Sequence, residues 1–226
     1  MFFPTSLFAL LLSAASPAVV AHSEASSNSG YVEVWSRRAD LPKSLSDMTA
    51  NTVGDKIYIF GGCDGDQIGY ICTSINSKVI IYDPISNHFA DSSAIVLNSP
   101  HERYRHAAAV VGVKVYLIGG RDLQDGLVEV VDVFDTEENS WSLSFRWTAA
   151  RSDLDSFVSS AGLVHSVGGY NAAYEATAST DMLDPGEGDS AGWALASAGR
   201  TIADMTVERG DFAIVEDGKG LVCMSA

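Results

Sequence analysis

Val113-Lys114-Val115-Tyr116-Leu117-Ile118-Gly119-Gly120 is a short apolar run closed by two glycines, and the chain repeats it. Asp55-Lys56-Ile57-Tyr58-Ile59-Phe60-Gly61-Gly62 comes before it and Gly162-Leu163-Val164-His165-Ser166-Val167-Gly168-Gly169 after it. A fading fourth copy, Gly218 to Ala226, carries Ser225-Ala226 where the glycines would stand. The first glycines of the pairs are Gly61, Gly119 and Gly168, and Ser225 continues the series at a similar interval. Self-similarity at a period of about 50 residues marks a repeat architecture.

Each period holds four apolar runs of strand length, rich in β-branched and aromatic residues. In the first they are Thr49–Val53, Lys56–Phe60, Lys78–Tyr82 and His88–Leu97. The second has His106–Val111, Lys114–Ile118, Val128–Phe134 and Trp141–Trp147, and the third Ser156–Ala161, Leu163–Val167, Thr180–Leu183 and Trp193–Ala196. Ala172–Ala178 tolerates a helix but is too short to hold one alone. Four meandering strands per period describe a propeller blade, one of several set radially around a channel. The paired glycines suit that geometry. An inner strand ending where blades crowd together needs positions without Cβ that are free to take φ > 0.

The 226 residues carry 29 Asp+Glu against 14 Lys+Arg, a formal charge of −15. Such a surface repels phosphate backbones and anionic headgroups, so neither nucleic acid nor a membrane surface is an expected partner. Residues 1–21 read as a secretory leader, with an apolar core from Leu7 to Ala15 and small residues at Val19-Val20-Ala21, although no Lys or Arg precedes that core. Apart from that leader, no stretch is long and apolar enough to span a bilayer. Residues 22–30 are a polar, flexible lead-in. The expected localisation is secreted or in the endomembrane lumen. In an oxidising compartment, Cys63 and Cys72 are candidates for a bridge closing their loop. Cys223 is left over.

Beyond the glycine pairs, the chain resembles the kelch-repeat family. Tyr82-Asp83 with Phe89, and Phe134-Asp135 with Trp141, match that family's aromatic followed several residues later by Trp, and Leu183-Asp184 with Trp193 matches loosely. Arg105-His106 and Arg151 stand where the family carries an arginine before the first strand, with Arg209 in the fourth copy. The resemblance implies an all-β, kelch-type β-propeller over 31–226, with blades at about 46–97, 104–147 and 151–196 and a partial one at 200–226. Val32-Glu33-Val34-Trp35 is similar to the last strand of a blade, which in the family closes the ring. Kelch rings most often have six blades. The expectation is therefore an incomplete ring, belonging to a longer protein or closing by self-association.

Catalytic constellations are thin. No nucleophile elbow, His-Glu-x-x-His pair or phosphate loop is present. Asp64-Gly65-Asp66 lacks the downstream acid of a calcium loop, and His101, His106 and His165 read as structural. No cofactor and no metal are expected. Strand alternation puts the loops Cys63–Ser77, Arg121–Gly126 and Tyr170–Ser179 on one face with the inter-blade loops. Arg103, Arg121, Tyr170 and Tyr174 are the candidate contact residues there, being anchor types on long loops. The expected function is non-enzymatic binding of another protein or a glycan through that face. The alternative is a fragment of a copper-radical, galactose oxidase-like carbohydrate oxidase, whose core also resembles a kelch propeller. That family needs a Tyr–Cys pair with histidine ligands, which this chain does not match.

Overall fold

The computed structural model describes residues 35–69, 71–90, 98–142, 145–147, 149–185, 203–216 and 222–225. The leader, the lead-in, residues 32–34, residues 91–97 and the run 193–196 with Trp193 lie outside the described residues.

Blade 1 is an antiparallel sheet of β1 (Thr49–Val53), β2 (Lys56–Phe60), β5 (Ile80–Asp83) and β6 (His88–Phe89) in that order. A small hairpin, β3 (Gln67–Ile68) with β4 (Ile71–Cys72), projects between its second and third strands. Blade 2 has β7 (Ala107–Val111), β8 (Lys114–Ile118), β9 (Val130–Asp135) and β10 (Ser140–Trp141), and β11 (Phe145–Arg146) also pairs with β9. Blade 3 shows β12 (Asp155–Val158), β13 (Val164–Val167) and β14 (Thr180–Leu183). The last two strands, β15 (Ala213–Glu216) and β16 (Val222–Ser225), begin a fourth sheet. The described residues form an incomplete β-propeller.

The glycine-closed runs of blades 1 and 2 are apolar after their leading lysines because both of their faces are covered. In β8, Val115 and Leu117 pack with Tyr58, Phe60, Val79 and Ile81 of blade 1, together with Phe134 of their own blade. Tyr116 and Ile118 turn the other way, onto a cluster with Leu154, Val164 and Leu183 of blade 3. A strand buried on two faces does not alternate apolar with polar. The aromatic signature becomes a ring cluster between blades 1 and 2: Phe134 lies edge-on to Trp141 at 5.1 Å and to Phe60 at 5.5 Å. Tyr82 and Phe89 pair across blade 1 at 4.8 Å.

The turns between third and fourth strands share one device. Asp83 Oδ1 accepts the N–H groups of Ile85 and Ser86, and Asp135 Oδ1 those of Glu137 and Glu138. Further along each turn, Asn87 and Asn139 take left-handed φ of 53° and 48°. Asparagine tolerates that conformation.

The radial order differs from expectation at one point. The first strand of each blade touches the first strand of the next, β1 to β7, β7 to β12 and β12 to β15, so these strands are innermost. The glycine-bearing strands come second. Their tips still meet the neighbouring blade: Gly62, Gly120 and Gly169 N–H donate to the carbonyls of Arg103, Arg151 and Arg209, at 3.0, 2.8 and 2.8 Å. Closer to the axis runs a second ladder. Arg105 N–H donates to Asp47 O, Asp153 N–H to Arg105 O and Asp211 N–H to Asp153 O, at 3.0, 2.8 and 3.0 Å. All four of these residues have left-handed φ, between 52° and 56°.

Candidate interaction face

Each blade ends its second strand in a three-way bridge: Ser46–Cys63–Ile75 in blade 1, Tyr104–Arg121–Leu127 in blade 2 and Ser152–Tyr170–Ala176 in blade 3. This bridge puts the loop between the second and third strands beside the segment leading into the first. Both loop sets therefore lie on one face.

The bridges also settle which arginines correspond. Arg103 precedes Tyr104 as Arg151 precedes Ser152, so Arg103 is the counterpart of Arg151, which corrects the pairing with Arg105-His106. The Arg103 guanidinium donates to the carbonyls of Leu117, Gly119 and Val130 at 3.3, 3.1 and 2.9 Å, and to the Asp132 carboxylate. Arg151 repeats the pattern with the carbonyls of Gly168, Ser166 and Ala149 and the Asp181 carboxylate. Each arginine ties the second strand to the third within its blade. In blade 1 the same place is taken by Leu45 and that of Asp132 by Ile80, packed together with Ile59. An ion pair in two blades is an apolar contact in the third.

Of the four expected contact residues, Arg103 and Arg121 are each 1% exposed. Neither offers a surface to a partner. Arg121 is spent at the seam between blades 2 and 3, donating to Ser152 Oγ, Asp125 O and Asn171 O at 3.0, 2.8 and 2.9 Å. Its guanidinium lies 3.7 Å from the centre of the Tyr174 ring, which caps it from outside. Tyr174 O–H donates to Asp125 Oδ1 at 2.6 Å, closing a clasp between the two loops. Burial, then this hydrogen bond, pushes the Tyr174 phenol up to about 12. Tyr174 is 40% exposed and belongs to the accessible face. Tyr170 is half-buried, its ring over Gly210 and its O–H donating to Asp211 Oδ2 at 3.2 Å.

The sequence reading passed over Tyr104 and Asp125. Tyr104 is fully buried under the β3–β4 hairpin, against the Cys63–Cys72 disulfide and Ile75. Asp125 sits at φ 63°, as Tyr174 does at 60°, because the two loops are copies: Asp122 Oδ1 accepts N–H of Gln124 and Gly126 as Asn171 Oδ1 accepts those of Ala173 and Glu175. Spacing carried that signal, since Asp122 follows Gly119 at the same interval at which Asn171 follows Gly168.

The remaining polar candidates have structural partners. His101 Nδ1 faces Asp132 at 3.0 Å and His106 Nε2 faces Thr49 Oγ1 at 3.0 Å. Burial, then the neighbouring Arg103 charge, drives the His106 imidazole down to about 3, so it is neutral. His165 stacks on Phe157 with ring centroids 4.7 Å apart. Asp64 pairs with Lys43 at 2.6 Å. Among the described residues, no three His, Cys, Asp or Glu side chains converge on a metal position. A cleft of about 320 Å3 opens on the opposite face, between the outer turns of blades 1 and 2, lined by Lys56, Tyr58, Ser86, His88 and Asn139 among others.

Comparison with known proteins places this geometry. A family model for the kelch motif matches residues 44–91 and 102–143. Kelch-like protein 23 of Homo sapiens is 25% identical over 139 residues, 62% of this chain and 22% of that protein. Kelch-like protein 25 of Rattus norvegicus is 23% identical over 114 residues, 47% of this chain and 18% of that protein. An F-box/kelch-repeat protein of Arabidopsis thaliana is 33% identical over 105 residues, 46% of this chain and 24% of that protein. The chain thus spans about a fifth of the length of the curated relatives it matches.

Proposed function

We propose that this chain, whose residues 44–91 and 102–143 match the kelch motif, is a non-enzymatic interaction module holding another protein against its loop face. The observation that carries the reading is the clasp of Arg121, Tyr174 and Asp125. It locks the loops of adjacent blades into one platform instead of leaving them as separate flexible segments. A preorganised surface loses less ordering entropy on binding than a mobile one. Tyr174 and Tyr170 are the contact residues in this reading. Arg121 and Arg103 position the loops from beneath.

We place the protein in an oxidising compartment, secreted or lumenal, with residues 1–21 as its leader. The Cys63–Cys72 disulfide supports this, since such bonds are rare where thiols are kept reduced.

The test compares proteins that copurify with the full chain and with two variants. One alters the loop face (Tyr174→Ser with Ala172→Arg), the other the opposite face (Lys56→Glu with Ser86→Arg). A specific partner is expected to be lost with the first variant and retained by the second. Retention by both, or loss with the second alone, overturns the assignment.

A further inference from the structure

The cleft on the face opposite the loops has one wall in blade 1 and the other in blade 2. Its blade 1 wall is two rows of side chains across β2, β5 and β6. In the outer row Asp83 pairs with His88, and Lys56 stands beside Asp83 because their neighbours Ile57 and Tyr82 are partners. In the inner row Tyr58 pairs with Ile81, whose carbonyl accepts the N–H of Ala90 at 2.9 Å. The far wall is the outer turn of blade 2, with Thr136 and Asn139. The volume of about 320 Å3 is at the lower end of the range in which small molecules are held.

Several polar groups here are not spent on the fold. Tyr58 is only 6% exposed, yet its hydroxyl has no hydrogen-bond partner among the described residues and is not sealed off, so it opens into the cleft. Asn139 is the copy of Asn87. Asn87 Oδ1 accepts the Ala39 N–H at 2.8 Å and the Tyr82 hydroxyl at 2.7 Å, whereas the Asn139 carboxamide has no partner among the described residues. The same holds for the Lys56 ammonium and the His88 ring, which make no hydrogen bond or ion pair there. Asp83 Oδ1 takes the N–H groups of Ile85 and Ser86, which leaves its second oxygen. The bond from Ser86, first among several causes, holds that carboxyl below its ordinary range, so it is ionised beside Lys56.

This set of groups selects the ligand by its pattern of donors and acceptors. Lys56 only donates, Asp83 only accepts, and Tyr58, His88 and Asn139 do both. An anion drawn to Lys56 would meet Asp83, on a chain of charge −15, and a cation drawn to Asp83 would meet Lys56. A hydroxyl donates and accepts through one atom, so neighbouring hydroxyls of one neutral molecule satisfy both groups together. Ile81 and Ala90 line the same wall and offer its C–H groups an apolar strip. We propose that this cleft binds a neutral polyhydroxylated ring, a sugar unit, held by Lys56, Asp83 and Asn139 with Tyr58 beneath it. The site is on the other side of the propeller from the loop face and does not depend on what that face binds.

The probes are glucose, galactose, mannose and N-acetylglucosamine, each run against the full, disulfide-intact chain in saturation-transfer NMR. Glucuronate, glucosamine and glycine serve as charged counterparts. At least one neutral sugar is expected to bind with a Kd on the order of 1 mM, as a ligand of so few atoms does. Tyr58→Phe keeps the ring in its cluster and removes a hydroxyl the fold does not use. It is expected to weaken that binding about 2- to 10-fold with the melting temperature unchanged. Lys56→Met should weaken it comparably, while Lys114→Met, at the same place in blade 2, should leave it unchanged. Stronger transfer to a charged probe than to any neutral sugar would overturn the neutral ring as the ligand. Absence of transfer to every neutral sugar, or binding that survives both Tyr58→Phe and Lys56→Met, would overturn the site. Binding lost with Tyr174→Ser instead would place the sugar on the loop face and overturn the cleft as well.

Discussion

The N–H of Gly120 donates to the carbonyl oxygen of Arg151 across the seam between blades 2 and 3, at 2.8 Å. The same oxygen sits where a Cβ on Gly119 would have to be, and Gly119 itself is at φ 65°. Gly61 meets the carbonyl of Arg103 in the same way, and Gly168 that of Arg209. The first glycine of each pair is thus in contact with the next blade's backbone, which cannot retreat as a side chain can.

Gly119→Ala is therefore expected to cost more than its backbone conformation alone. Left-handed φ costs alanine ~1–2 kcal/mol, and overlap with a fixed carbonyl adds ~1–3 kcal/mol. Gly112→Ala is the control, since Gly112 has φ 62° but nothing within 4 Å of its added Cβ. Denaturant titration of both variants should show Gly112→Ala losing about 1 kcal/mol and Gly119→Ala at least twice that. Equal losses would mean that the seam does not set the requirement.

The Leu45 and Ile80 pair of blade 1 predicts how blade 2 can be altered. Arg103→Leu alone strands Asp132 without its guanidinium and should cost ~3–5 kcal/mol. Arg103→Leu with Asp132→Ile copies the apolar solution and should recover more than half of that loss. Chemical denaturation of the wild type, the two single variants Arg103→Leu and Asp132→Ile, and the double variant gives the coupling. No recovery would show that the arginine acts chiefly through its three strand carbonyls.

Two buried groups pull the pH dependence in opposite directions. His106 is held at about 3 by burial and by Arg103, below its ordinary 6.5. Its contribution to stability is complete above pH 6.5 and is lost as pH falls toward 3. Asp153 is raised to about 6 from 3.8, first by burial and also by Asp211 and Asp47, against the lowering effect of Arg105, 3.7 Å away, and of Ser152. Its ionisation opposes folding, so its contribution is present below pH 3.8 and lost as pH rises through 6. Asp153→Asn is accordingly expected to raise stability at pH 7.5 by about 1–2 kcal/mol, screening allowed for, and to leave it unchanged near pH 3.5. His106→Gln should flatten the acid limb of the wild-type curve. Thermal melts across pH 3.5–8 check both.

Tyr174 makes two separable contributions to its clasp. Tyr174→Phe keeps a ring over Arg121 and loses only the bond to Asp125, at about 1 kcal/mol. Tyr174→Ala also removes the cation–π contact and uncovers the guanidinium, so about 2–3 kcal/mol is expected. If phenylalanine costs as much as alanine in thermal melts, the hydroxyl and not the ring holds the loops together.

Much of the fold was legible because the repeat is written in local chemistry. Glycine pairs, Asp-to-Asn turns and apolar runs each depend on residues a few positions apart, so β1, β2, β8 and β14 fall where their runs predicted. The site was less legible. Arg103 and Arg121 look like surface anchors because arginine on a loop usually is one, and only the packing shows them turned inward onto carbonyls and an aromatic ring. The hairpin was visible as a longer interval from Gly61 to Gly119 than from Gly119 to Gly168, yet spacing does not say whether additional residues coil, pair or project.

The sequence by itself determined the repeat, the blade and the strand order, since these follow from periodicity and from where glycine is indispensable. Only the tertiary structure decided which strands line the axis, which arginine answers to which, and which side chains meet solvent. The physical reason is range. Those outcomes are set by contacts between blades that lie a whole repeat apart in the chain, where a buried guanidinium finds its partners only after the neighbouring sheet is in place.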